Sequence, residues 1–396
     1  MRGRTLKLSM AMLIAALAVS LAIFIGACGS KKSSNSSSNG SIKVGAIVSL
    51  TGSYAALGQP EQNTLNMEVK KINDAGGING KQIDLMIKDD GTDDAKAVAA
   101  ASELITQDHV VAILGPTGSS TTMAIRGNID RAGIPEISMA AATPITNPVD
   151  KLVFATAWPN SVVVPFTFDY LKKHGITKIG AITDTGGFGA DGLAVIKAAA
   201  PKMGMTVVDS ETFNPGDTDM TAQLTKIKNT DAQAVLMWTA GPEGTIIAKE
   251  MQDLGMKIPL YGSHGNGNLQ FIQGAGAAAN GVKFPAGKIL VPAAYGKGSA
   301  GYTQATAFIT AYQAAYGAAP TTFAGHAFDA IHILADAAKT VSGDVTAAAL
   351  RDAIEQTSGY VGISGDFTFS PTDHNGMTPK ALVMYEIVNG KWTLAK

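Results

Sequence analysis

The feature that most restricts the fold of this chain is the order in which two hydrophobic periods follow one another after residue 42. IKVGAIVSL is β-branched and apolar, which reads as a strand, and residues 59–75 then place Leu65, Val69 and Ile72 at helical spacing until Gly76-Gly77 stop the run. Residues 82–88 alternate as a second strand, Asp93 opens an alanine-rich helix reaching residue 107, and residues 110–114 form a short buried strand. This βαβαβ order favours a parallel sheet covered by helices. The pattern restarts near residue 161, with helices over 162–173, 190–203, 220–229 and 243–254 and strands over 178–183, 206–209, 234–238 and 259–262. The sequence predicts an α/β protein of two Rossmann-like lobes with parallel sheets.

The remaining chain is too rich in helix for a third lobe. Helices near 302–316, 324–341 and 345–356 are expected to return and cover the first lobe. A final strand pair, 380–388 and 392–394, is joined by Asn389-Gly390, which suits a primed hairpin turn. If that pair belongs to the second lobe, the chain crosses between lobes three times and makes a three-strand hinge, with the cleft as binding site. The expected division is then 42–160 plus about 290–362 for lobe 1, and 161–289 plus about 363–396 for lobe 2.

Composition supports a packed body and removes some functions. Hydrophobic residues make up 46% and charged residues 16%, so a sizeable core is available. The formal net charge of −1 provides no field toward nucleic acid, and no nucleic-acid partner is expected. The single cysteine excludes an internal disulfide.

That cysteine sits at an informative place. Arg2, Arg4 and Lys7 precede an apolar stretch over 8–27, the order of an export signal, and the stretch ends Ile25-Gly26-Ala27-Cys28. This is similar to the lipobox of bacterial lipoproteins, which implies cleavage of residues 1–27 and lipidation of Cys28. An uncleaved membrane helix is the other reading, since about 20 apolar residues can span a bilayer. Residues 28–41 include SKKSSNSSSNGS, which has nothing to bury and reads as a flexible tether holding the body roughly 20 Å from its anchor. The expected location is exported and lipid-anchored, in the periplasm or on the outer cell surface.

The candidate site starts at Gly115-Pro116-Thr117-Gly118-Ser119-Ser120-Thr121-Thr122, where a parallel strand ends and a helix begins. Open α/β sheets bind ligands at that edge. Free amides, the helix dipole and several hydroxyls, Thr117, Ser119 and Ser120 among them, suit a carboxylate there. The same serines and threonines are also ordinary helix caps.

IKVGAIVSLTGSYAALGQ, KINDAGGINGKQIDLMIKDDGTDDAKAVAAASELI and VVAILGPTGSSTT, followed by TDTGGFGADGL, NPGDTDMTAQLTKIK and YGSHGNGN, resemble the periplasmic binding proteins of branched-chain amino acid ABC transporters. The resemblance covers the chain after the tether. It implies capture of a small solute by lobe closure and delivery to a membrane permease; a monomer without cofactor or metal is expected. It also implies that Ser119 grips the ligand carboxylate and that main chain at Ala141 and Ala142 touches the ligand. The family's threonine falls on Ala142, with Thr143 one position late. Phe188 matches a position where the family often has a tyrosine facing the ligand, with core packing as the alternative. Trp238 belongs either to the sheet core or to the cleft wall, and Phe328 and His326 are further candidates on a helix of lobe 1. His264 departs from the family pattern, which commonly has a carboxylate there for the ligand's ammonium. A neutral imidazole weakens the expectation of a zwitterionic amino acid, and a protonated one would favour a dicarboxylate or an aromatic acid.

Enzyme chemistry is not expected. Gly187-Phe188-Gly189-Ala190-Asp191-Gly192 fits the dinucleotide pattern, but Asp184 and Asp191 flank the place where a pyrophosphate would lie. No serine-hydrolase or zinc-protease motif occurs, and the histidine spacing suits no metal.

Overall fold

The computed structural model describes residues 40–396. Cleavage after residue 27, lipidation of Cys28 and most of the tether lie outside the described residues. The body contains a parallel five-stranded sheet and a mixed, mainly parallel seven-stranded sheet, each flanked by helices.

The first lobe is built on β1 (Ile42–Val48), β2 (Ile83–Asp89), β3 (Ala112–Leu114), β4 (Glu136–Ser138) and β5 (Val153–Ala155), paired in the order β2-β1-β3-β4-β5 and all parallel. Central strands covered on both faces bury nearly every residue, and β1 is buried except at Lys43. Between them run α1 (Ala55–Asp74), α2 (Asp94–Thr106) and α3 (Ser119–Ala132). Asp93 caps α2 by accepting from the Lys96 amide at 2.8 Å. The first helix begins at Ala55 rather than at residue 59, with Pro60 inside it.

In the second lobe, β6 (Lys178–Asp184), β7 (Thr206–Phe213), β8 (Ala234–Trp238) and β9 (Leu260–Tyr261) alternate with α4 (Asn160–Lys173), α5 (Gly187–Ala199), α6 (Thr221–Lys228), α7 (Glu243–Asp253) and α8 (Leu269–Ala275). β10 (Lys283–Gly287) extends this sheet beside β9. The terminal hairpin, β13 (Leu382–Val388) and β14 (Lys391–Leu394), completes it in the order β14-β13-β10-β9-β8-β6-β7. The hairpin turn has φ of 50° at Asn389 and 71° at Gly390, the left-handed pair a primed turn requires.

The intervening chain supplies α9 (Ala300–Tyr316), α10 (Thr322–Thr340) and α11 (Ala347–Glu355), with a small pair of strands, β11 (Tyr360–Val361) and β12 (Asp366–Phe367). α10 packs along α1. Phe369 and His374 lie against Phe154 of β5, with ring centroids 5.3 and 4.1 Å away, so this stretch sits against the first sheet before the chain enters β13. The chain passes between lobes after β5, after β10 and before β13. Two of these passages touch: a Cβ on Gly287 would collide with the Trp158 ring. Only glycine allows the passages to lie so close.

Several elements start elsewhere than the sequence pattern suggests. α5 begins at Gly187, not residue 190, because a glycine-rich helix start has no apolar stripe to reveal it. β4, β5 and β10 are short or contain proline and glycine, so periodicity does not find them.

Candidate ligand chamber between the lobes

Chain segments leaving the C-terminal ends of strands meet between the lobes, as expected for open α/β sheets. Tyr54 and Leu57 follow β1, Thr117 and Ser119 follow β3, Met139, Ala140 and Ala141 follow β4, and Ala157 follows β5. From the second lobe come Phe188 after β6, Ala240 after β8, and His264 and Gly265 after β9. Phe323 and His326 on the first turns of α10 complete the wall. These residues line a narrow, partly open space of about 30 Å³. A groove bordered by Ser53 and Ala56 on one side and by Gly241, Pro242 and Asn268 on the other adjoins it at Ala240.

The structure thus brings together Thr117, Ser119, Ala141, Phe188 and His264. It places five other candidates elsewhere, each for a visible reason. The Ser120 hydroxyl accepts from the Gly187 amide at 2.8 Å, so it spans the lobes instead of facing the chamber. The Ala142 amide donates to the Ser119 hydroxyl oxygen at 3.2 Å, and the Thr143 amide donates to the Asp191 carboxylate at 2.8 Å. Trp238 is fully buried behind the wall: its indole N–H donates to Asn160 Oδ1 at 2.9 Å, and its ring stacks against Phe188 and meets His264 edge-on. Phe328 packs against Phe308 and His332. Two residues along a helix turn the side chain by roughly 200°, so Phe328 lies opposite His326.

Hydrogen bonding decides what the wall can offer. The Thr117 hydroxyl accepts from the Ser49 amide at 3.0 Å and lies 2.5 Å from the buried Glu61 carboxyl, so it is used within the protein. Ser119 accepts from Ala142 but retains its own hydroxyl proton, and as the first residue of α3 it has an amide without an intrahelical partner. His326 pairs with Thr156 twice: Nδ1 lies 3.0 Å from the Thr156 carbonyl, and the Thr156 hydroxyl donates to the His326 carbonyl at 3.0 Å. Among the described residues, neither buried ring nitrogen of His264 makes a well-formed hydrogen bond, and the Trp158 backbone carbonyl acts on the ring only weakly.

The chamber is uncharged. Burial, reinforced by the neighbouring His326, lowers His264 to about 3. Burial lowers His326 to about 4. His264 is therefore neutral, and the protonated form that a dicarboxylate would need is absent near neutral pH. Burial, with Asp184 and Glu243 nearby, raises the Tyr54 phenol well above its ordinary value. Among the described residues, the wall contains no Asp, Glu, Lys or Arg.

Sequence reasoning alone does not single out Tyr54 or Phe323. Tyr54 is findable, because it follows the first strand at the sheet edge where ligands bind. Phe323 lies three residues before His326, on the same helix face.

The glycines of the dinucleotide-like stretch have packing roles. A Cβ on Gly187 would meet the Ser120 amide at 2.9 Å, one on Gly189 would collide with the Asp184 carbonyl, and one on Gly192 with the Trp238 ring. They bring helix, strand and opposite lobe together rather than cradling a phosphate.

A family model described as periplasmic binding protein matches residues 41–391. The chain belongs to the periplasmic binding protein family. This is a family of binding proteins rather than enzymes, and membership implies work outside the cytoplasm. The Leu/Ile/Val-binding protein homolog 3 of Brucella melitensis is 29% identical over 245 residues, which are 61% of this chain and 66% of that protein. The leucine-, isoleucine-, valine-, threonine- and alanine-binding protein of Pseudomonas aeruginosa is 28% identical over 61% of this chain and 65% of its own. The match thus spans just under two thirds of the length of these relatives. Among solved structures, the branched-chain amino acid transporter substrate binding protein LivJ of Streptococcus pneumoniae, in complex with isoleucine, is 31% identical with a TM-score of 0.81, over 90% of this chain and 99% of that one. An extracellular ligand-binding receptor from Rhodopseudomonas palustris HaA2 is 27% identical with a TM-score of 0.84, over 90% of this chain and 100% of that one.

Proposed function

We propose that this periplasmic binding protein captures a small carboxylate-bearing solute, an amino acid or a related acid, between its lobes and delivers it to the permease of an ABC transporter. The observation that carries the reading is the convergence of strand ends from both lobes on one narrow space with Ser119 at its wall. Its hydroxyl proton and the unpaired amide of α3 suit a carboxylate, and Leu57, Met139, Phe188 and Phe323 suit an apolar body. The relatives named for leucine, isoleucine and valine support the ligand class, and the transporter named for LivJ supports the permease. Carboxylate binding in the first lobe followed by closure of Phe188 and His264 over the solute gives the order of events. In this reading Cys28 carries lipid, and the tether keeps the body near the membrane.

The test is a thermal-shift and calorimetric screen of branched-chain amino acids and small monocarboxylates. A raised melting temperature and saturable binding, weakened by Ser119→Ala, are expected. A chain that responds to none of these acids does not have this function. For the anchor, labelling of the full chain with a radiolabelled fatty acid is expected to be lost in Cys28→Ala.

A further inference from the structure

The two histidines of the chamber are not equivalent, and their difference specifies the far end of the ligand. A carbonyl oxygen only accepts, so Nδ1 of His326 carries the proton directed to Thr156 at 3.0 Å. In the neutral ring the other nitrogen, Nε2, is then a bare lone pair, an acceptor without a partner among the described residues. His264, on the opposite lobe, is 5% exposed, and among the described residues neither ring nitrogen, one donor and one acceptor when neutral, makes a well-formed hydrogen bond, the Trp158 backbone carbonyl acting on the ring only weakly. Both rings line the same space, edge-on to aromatic neighbours. His264 is 5.1 Å from Phe188, and His326 is 4.7 Å from Trp158.

A hydroxyl group matches the acceptor of His326 and the donor of His264 together, because it has one proton to donate and an oxygen that accepts. An ammonium has donors only and would leave the His264 N–H unmatched, with no acidic side chain on the wall to balance its charge. A second carboxylate has no proton for His326 and no cation in the wall. We infer that the ligand is a monocarboxylate whose distal end carries an uncharged hydroxyl, donating to Nε2 of His326 and accepting from His264, with an apolar skeleton between the two ends. This rests on the carboxylate-binding reading above. The hydroxyl can sit on an aliphatic or an aromatic skeleton, and the two are separated by the choice of probe.

The experiment is calorimetry on the full chain with matched pairs that differ only in the hydroxyl: 4-hydroxybenzoate with benzoate, 4-hydroxyphenylacetate with phenylacetate, and 5-hydroxypentanoate with pentanoate. Leucine and isoleucine are included. In at least one pair the hydroxy acid is expected to bind about 10- to 100-fold more tightly than its parent, the range for a buried hydrogen bond whose loss leaves partners unpaired. In His326→Leu and His264→Leu that ratio should fall toward one, whatever change the absolute affinities undergo. Nitrogen NMR of the imidazoles provides a second readout. Nε2 of His326 should shift with the hydroxy acid and not with its parent, a change that a purely structural histidine does not give. Equal affinity within every pair, or tighter binding of leucine or isoleucine than of every hydroxy acid, overturns the inference and leaves carboxylate binding intact. Absence of binding by all of these acids removes both.

Discussion

Ser119 and Thr117 show how much a hydroxyl's surroundings decide its use. Both face the chamber, yet Thr117 is tied up by Ser49 and Glu61, whereas Ser119 keeps a proton to donate. Ser119→Ala is therefore expected to weaken carboxylate binding by about 10- to 100-fold, the range for a hydrogen bond to a charged group. Its melting temperature should also fall, because the buried Ala142 amide loses its acceptor, and calorimetry with scanning of the same samples checks both. The imidazoles give a pH prediction. The unfolded histidines titrate near 6.5, while the folded ones stay neutral down to about 3 for His264 and about 4 for His326. As pH falls from 6.5 toward 4, the unfolded chain gains two protons that the folded chain refuses. Stability falls, by up to about 1.4 kcal/mol per pH unit for each ring. Asp329 opposes this: burial raises it to about 7, so over the same window its proton is held in the folded chain and its share of stability rises as pH falls. The difference between the wild type and the His264→Gln, His326→Gln double variant isolates the imidazole part. In denaturant melts the variant is expected to lose less stability on acidification. An equal loss would mean that these rings titrate normally.

Among the elements, α5 joins more functions than its sequence announces. Its glycines fit Ser120, Asp184 and Trp238, and Phe188 lines the chamber from its first turn. Gly192→Ala would drive a methyl into the Trp238 ring and is expected to cost about 1–3 kcal/mol or more in denaturant unfolding. Trp238→Phe leaves Asn160 Oδ1 without its donor and is expected to cost about 1–3 kcal/mol by the same measurement. Long periodic elements are legible in the sequence: the pattern puts β8 over 234–238, where its ends lie, and marks α7 to within one residue. The start of α5 is not legible, because glycine gives no hydrophobic stripe and its reason for being there lies in residues far away in the chain. The site is legible to the extent that it follows strand ends, as with Ser119 and Ala141. Whether a side chain at such an end faces the gap or the neighbouring lobe depends on pairings such as Thr143 with Asp191, which no local pattern records.

At the scale of the whole molecule, the lobes meet directly as well as around the chamber. Gly187 donates to Ser120, and Asp191 joins the Thr143 amide of one lobe to the Asn160 amide group of the other, each at 2.8 Å. Gly187→Ala would press a methyl on the Ser120 amide and hold the lobes apart. A larger radius of gyration by small-angle scattering in the presence of ligand is expected, with affinity reduced at least 10-fold. Asp191→Ala removes a carboxylate from this seam and is expected to reduce affinity for every ligand by a similar factor, about 10-fold. Calorimetry with two chemically different ligands tests the similarity, and unequal factors would place Asp191 in ligand choice instead.

The seam bonds join protein groups to one another and use none that a solute would have to supply. If the proposed function holds, mutations along the rim would set how dilute a solute the protein can still retain, and mutations inside would set which solute that is. A lineage can adjust the first without disturbing the second.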